Sequence, residues 1–129
     1  MMKSVKWILL LTVVGLTMMN CKSMKEYKER VASIEIENID LQKVTDGEYI
    51  GDFDAIFVKA TVKIVVKDHK IEAIELVQHD NGRGADAEVI PGNVVSAQSL
   101  LVDTISGATA SSKVILEAIE QALKKGISG

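Results

Sequence analysis

Cysteine is almost missing from this chain. Cys21 stands alone among 129 residues, which excludes an internal disulfide and any zinc site built from several cysteines. Aromatic residues amount to 4%, and the one tryptophan, Trp7, lies in the N-terminal segment, so a ligand of the folded body is not stacked on tryptophan. There is no basic stripe: 15 Lys and Arg face 18 Asp and Glu, for a formal charge of −3. Nucleic acid is therefore not an expected partner. The two histidines, His69 and His79, flank a turn region at no metal-ligand spacing, and no metal site is expected. Internal repeats and low-complexity tracts are lacking too. What remains is length for one domain with a modest core.

The N-terminus reads as an address. Lys3 and Lys6 precede an apolar run from Trp7 to Met19. The run is short of the about 20 residues that a spanning helix needs and fits the core of an export signal. Cys21 follows it directly, a placement that resembles the lipobox of bacterial lipoproteins, whose cysteine is lipidated and becomes the new N-terminus. Asn20 and Met18 depart from the small residue and the leucine usual there. Export is the expectation, by lipidation at Cys21, by an uncleaved anchor or by plain secretion. Lys22 and Lys25 argue against burial of Cys21. Removal of residues 1–20 leaves 13 basic and 18 acidic residues, a charge of −5.

Beyond a charged stretch from Lys22 to Arg30, which begins a helix or tether, Ile34-Glu35-Ile36-Glu37 alternates as a short strand would. Asp46-Gly47 signals a turn, and Glu48 to Phe53 alternates again. The clearest strand is Val58 to Lys67, with Val58, Ala60, Val62, Ile64 and Val66 on one face. Asp68-His69 makes a tight turn, and Lys70 to His79 returns as its hairpin partner with mixed alternation that leaves the register open. A polar loop, Asp80-Asn81-Gly82-Arg83-Gly84, follows. Pro91 opens a short helix to about Ser99, and Leu100-Leu101-Val102 is a short buried link. A last helix begins at Ser111 or Ser112 under a hydroxyl cap. Its apolar face is Val114, Ile115, Ala118, Ile119, Ala122 and Leu123, and Gly126 ends it.

Between link and helix stands Asp103-Thr104-Ile105-Ser106-Gly107-Ala108-Thr109. Gly107 permits a tight backbone path, Ala108 keeps the surface open, and Thr109 sits where the free N–H groups of a helix start favour an anion such as phosphate. An ordinary loop with a serine cap fits these residues equally well.

Asp103, Ser106, Gly107, Ala108 and Thr109 together resemble the flavinylation motif of the FMN-binding domain family, an aspartate followed two residues later by Ser/Thr-Gly-Ala-Thr. The Asp46-Gly47-Glu48-Tyr49-Ile50-Gly51 segment is similar to that family's opening. The hairpin, the Ala97-Gln98-Ser99 segment and the last helix fall in the family's order. The resemblance implies an α+β fold: one domain over 44–125, a small twisted antiparallel sheet with flanking helices. Residues 21–43 are then a membrane-proximal tether with the first elements, behind the signal over 1–20. In related flavin-carrying subunits of sodium-pumping NADH:quinone reductase and Rnf-type complexes, a flavin transferase joins FMN, taken from FAD, to the motif threonine.

By that resemblance Thr109 bears FMN as a phosphoester. Asp103 serves the transferase or its metal, Ser106 and Gly107 shape the loop, and Ser111 and Ser112 hold the phosphate. Gln98 touches FMN. His79 hydrogen-bonds the flavin ring or ribityl chain, or is only a strand-end histidine; Arg83 offsets flavin charge, or is only solvated. The implied function is a membrane-anchored electron carrier rather than an enzyme. It takes electrons from a membrane redox protein or quinol and passes them to an extracytoplasmic acceptor. The alternatives are a non-covalent FMN module or small flavin reductase, and a structural envelope lipoprotein with a vestigial motif.

Overall fold

A computed structural model describes residues 22–82 and 84–127. The signal expected over 1–20, the lipidation site Cys21 and Arg83 lie outside the described residues.

The sheet is built around the strand with the strongest alternation. In β2, Lys59–Lys67, and just before it, Val58, Ala60, Val62, Ile64 and Val66 turn inward, none more than 5% exposed. β1 (Gly47–Asp54) and β3 (Lys70–Asp80) flank it, both antiparallel, in an open three-stranded sheet of order β1-β2-β3. Asp68 and His69 link β2 to β3 with φ of 53° and 62°. Positive φ at both positions is what a type I′ turn needs to match the twist of its strands, so the expected tight turn is present.

The mixed alternation of β3 has a structural cause. Its pairing with β2 slips between Thr61 and Val62 and again between Val65 and Val66. Glu72 and Val77 are each an extra residue on β3, as in a β-bulge. The residues opposite Val66, Ile64, Val62 and Ala60 are therefore Ile71, Ile74, Leu76 and His79, a spacing that a strict period of two does not reveal. His79 consequently stands on the core side of the sheet.

The helix α3, Thr109–Lys124, packs on β1 and β2. Val114, Ile115, Ala118, Ile119, Ala122 and Leu123 are all buried, as its apolar stripe requires. The close approach depends on Gly51: a Cβ there would stand 2.1 Å from the Ala118 carbonyl oxygen and 2.5 Å from the Ala122 nitrogen. A short 3₁₀ helix, Ala85–Val89, leads into α2, Ile90–Ala97, which covers β3. The fold is α+β, one small domain. Its ends are pinned together: Val44 bridges Ile127 in antiparallel fashion, and Thr45 N–H donates to the Gly126 carbonyl at 2.9 Å.

Residues 22–32 form the first helix, α1. Arg30 ties it to β1 by donating to the Asp54 carbonyl at 3.0 Å, and Tyr27 meets Phe57 edge to face at 5.5 Å. The strand expected over Ile34-Glu35-Ile36-Glu37 is absent; the stretch is irregular. Its inward alternation is kept, with Ile34 buried and Ile36 half-buried. Its backbone finds a helix side chain instead of a strand, since Glu37 N–H donates to Glu120 Oε1 at 2.7 Å.

Glu120 is thereby buried, 2% exposed. Burial pushes its carboxyl above the ordinary glutamate value, and neighbouring Glu117 adds to this. The Glu37 N–H and the Lys124 ammonium, 3.8 Å away, work in the opposite direction. A pKa raised by folding means that the folded chain holds this proton more tightly than the unfolded chain does. Stability from this group is then present below the unfolded value and is lost as pH rises through the folded one. The stability advantage of Glu120→Gln over the parent should accordingly be larger at about pH 7 than at about pH 4. Urea unfolding at both pH values measures it, and a pH-independent difference refutes the account.

Candidate functional site

The end of β3, the loop after it, the 3₁₀ helix and the first turn of α3 meet at one corner. Gly84 brings the loop onto the helix: a Cβ there would stand 2.0 Å from Ser111 Oγ. Glu88, on the 3₁₀ helix, accepts from Asn81 Nδ2 at 3.4 Å, and its Oε1 is 3.1 Å from His79 Nδ1.

The motif forms the approach to α3. Ala108 N–H donates to the Ile105 carbonyl at 2.9 Å, closing a four-residue turn. Gly107 is its third residue with φ of 82°, the left-handed region that a type II turn demands at this place. Nothing lies within 4 Å of where its Cβ would be, so the demand is one of backbone conformation and not of space. Asp103, Ser106, Gly107 and Thr109 are all exposed.

The helix starts earlier than the hydroxyl-cap expectation placed it. Thr109 is its first residue and Ala108 its N-cap, with no side-chain capping bond. The first helical bond is Ser112 N–H to the Ala108 carbonyl, 2.9 Å. The N–H groups of Thr109, Ala110 and Ser111 therefore precede the ladder, and no acidic residue occupies the first turn. This is an open, electropositive helix end with a threonine hydroxyl at its mouth.

Ala108 does not keep the surface open. It is 5% exposed and lies beneath the turn. Ser112 is fully buried, and its hydroxyl accepts from Ile105 N–H at 3.0 Å and donates to the Ala108 carbonyl at 2.8 Å. Both functions of that hydroxyl are engaged in fastening the loop to the helix, which removes Ser112 as a direct phosphate ligand. Ser111 is also buried, 2% exposed, beneath Gly84.

Gln98 stands elsewhere. Its Oε1 accepts Ile71 N–H at 2.8 Å, and its Nε2 donates to the carbonyls of Ile71 at 2.8 Å and Val95 at 2.7 Å. Ile71 begins β3, whereas the corner lies at that strand's far end, roughly 25–30 Å away at about 3.3 Å per residue. Gln98 is thus a backbone mimic that fastens α2 to β3, and its amide is engaged there. The buried link is buried only at Leu100; Leu101 is 69% exposed.

Three residues of consequence had no signal in the sequence. Gly84 and Glu88 gain their parts only once the loop folds back on α3. Glu120 sits on the helix as an apparently ordinary charge. No helix among the described residues is long and apolar enough to cross a membrane.

Comparison with known proteins bears on this corner. A family model described as an FMN-binding domain matches residues 57–124. That span contains β2, β3, both later helices and the whole Asp103–Thr109 motif; the Asp46–Gly51 opening lies before it, although the structure pairs that opening, as β1, with the matched β2. An uncharacterized protein of Treponema pallidum (strain Nichols) is 26% identical over 116 residues, which cover 88% of this chain and 32% of that relative. The chain spans about a third of the length of this curated relative. The residues at the corner are chemically compatible with flavin mononucleotide: a helix end without a capping side chain suits a phosphate, and the exposed Thr109 hydroxyl stands beside it.

Proposed function

The chain belongs to the FMN-binding domain family, and from that premise we propose that it carries flavin mononucleotide covalently on Thr109 and works as a tethered electron carrier. The observation that supports this most is the uncapped start of α3 with Thr109 exposed as its first residue.

In the attachment step the Thr109 oxygen bonds the flavin-side phosphorus of FAD. The pyrophosphate bond breaks, AMP leaves, and the hydroxyl proton passes to a base of the transferase. The product phosphodiester keeps one negative charge. The helix end favours that charge by about 0.3–1 kcal/mol at an exposed position. Ser112 and Gly107 hold the turn that presents Thr109, and Asp103 remains free at the surface for the transferase to read. When bound, the cofactor supplies reversible electron transfer, and the protein supplies attachment and orientation. Because Asp103, Ser106, Gly107 and Thr109 are exposed, a group fixed there stays within reach of redox partners.

The partners belong to the same proposal: a flavin transferase, a membrane redox protein or quinol as donor, and an extracytoplasmic acceptor. Anchoring through Cys21 rests on its place directly after an apolar run. The full chain incubated with a flavin transferase and FAD should give a band that fluoresces on a denaturing gel and a mass increased by one FMN less water. Flavin that leaves on denaturation would make it a non-covalent module, and a chain that takes up no flavin at all refutes the reading.

A further inference from the structure

His79 carries a nitrogen for which the described residues have no use. The side chain is 2% exposed. Nδ1 meets Glu88, but Nε2 is buried without a hydrogen-bond partner among the described residues. Buried polar atoms of folded proteins are nearly always paired, and an orphan calls for a ligand, an ion or a water. The Glu88 carboxylate is an acceptor, so it holds a proton on Nδ1. In the neutral ring Nε2 is then a bare lone pair, able to accept and not to donate.

This orphan shares its corner with the open end of α3. His79 is the penultimate residue of β3. Five residues later Gly84 rests on Ser111, and the 3₁₀ helix that bears Glu88 packs against α3. Two independent observations thus fall together. The N–H groups of Thr109, Ala110 and Ser111 are donors without a side-chain cap, and in the neutral tautomer with Nδ1–H on Glu88, His79 Nε2 is an acceptor with no donor among the described residues. An ionised phosphodiester offers only acceptors; it suits the helix end and is repelled by a bare lone pair. A polyol hydroxyl offers the donor that Nε2 lacks. Flavin mononucleotide contains both groups joined directly, since its ribityl chain is esterified to its phosphate.

Resting on the function proposed above, we infer that His79 is a cofactor-binding residue: Nε2 accepts a hydrogen bond from a ribityl hydroxyl of the nucleotide held at Thr109. Glu88 is its positioning residue, fixing the tautomer, and Asn81 steadies Glu88. Since Nε2 has no contact with solvent, seating the hydroxyl requires a local shift of the groups that cover it.

The chain has only two histidines, which makes a direct test possible. The full chain, labelled with ¹⁵N in histidine, is compared by NMR before and after loading with a flavin transferase and FAD. The His79 Nε2 resonance should move toward that of a hydrogen-bonded acceptor. The resonances of His69, which is held near the Leu41 carbonyl at the other end of the sheet, should stay in place. Glu88→Ala should mix the two His79 tautomers and Glu88→Gln should restore the single one; an unchanged tautomer in Glu88→Ala removes Glu88 from the assignment. In loaded His79→Gln the flavin absorption bands should keep their positions, because a ribityl contact leaves the ring's surroundings alone. Displaced bands would shift the contact to the ring and overturn the inference. A chain that gains the flavin mass while His79 Nε2 does not move overturns it as well, with attachment at Thr109 left standing. No gain of mass overturns both.

Discussion

Thr109→Val is expected to abolish covalent flavin completely while the fold survives. Threonine and valine have nearly the same shape and helix propensity, and Thr109 is exposed at the first position of α3. Exposed substitutions of this kind stay within about 0.5 kcal/mol of the parent. The hydroxyl oxygen is nevertheless the only atom of this residue able to bond phosphorus, so its loss is all or none. Thr109→Ser keeps the oxygen and should keep the label, at a rate lowered by the freer serine rotor. Fluorescence on a denaturing gel and intact mass read the label, and circular dichroism confirms the fold. A Thr109→Val chain that still fluoresces after denaturation would move the attachment to another residue.

Gly51→Ala should be the most damaging single methyl in the domain. The added carbon would fall 2.1 Å from the Ala118 carbonyl oxygen, 2.5 Å from the Ala122 nitrogen and 2.8 Å from the Ala122 Cβ. Two of these atoms are helix backbone, which cannot rotate aside as a long side chain can. α3 must lift off β1 as a body, and with it the apolar stripe that covers the sheet. Overpacking of well-packed cores costs about 1–3 kcal/mol and occasionally more; this contact belongs at the upper end. In a domain of this size about 3 kcal/mol lowers the melting temperature by roughly 12–24 °C. Gly92→Ala is the matching control. It lies within α2 with nothing within 4 Å of its Cβ position, and alanine there should be neutral or stabilising by up to about 1 kcal/mol. Equal melting temperatures for Gly51→Ala and the parent would contradict the packing described.

Much of this architecture can be read from local patterns. The inward face of β2, the Asp68-His69 turn and the stripe of α3 each depend on residues close in sequence, and periodicity reports them. The motif was legible for a different reason, its likeness to a known family. What escaped has a common cause in long-range geometry. The bulges at Glu72 and Val77 erase the alternation of β3 and with it the sign that His79 points inward. Glu37 ended in an irregular stretch because its N–H is satisfied by Glu120, 83 residues away. Gln98 was read as a flavin contact through the short link, whereas its amide is taken up by the backbone of Ile71 and Val95. Ser112 resembled a cap because serine often is one; its hydroxyl is instead directed back into the turn.

The bridge between Val44 and Ile127 has a consequence for the path of the chain. Partners in an antiparallel bridge have Cα atoms only about 5 Å apart, so the segment from Val44 to Ile127 closes on itself like a ring. Residues 22–43 pack on that ring from outside it, through Arg30, Ile34 and Glu37, much as a strap lies across a closed buckle. The Asp103–Thr109 loop lies within the ring, so it travels with its own support, the helix that begins at Thr109.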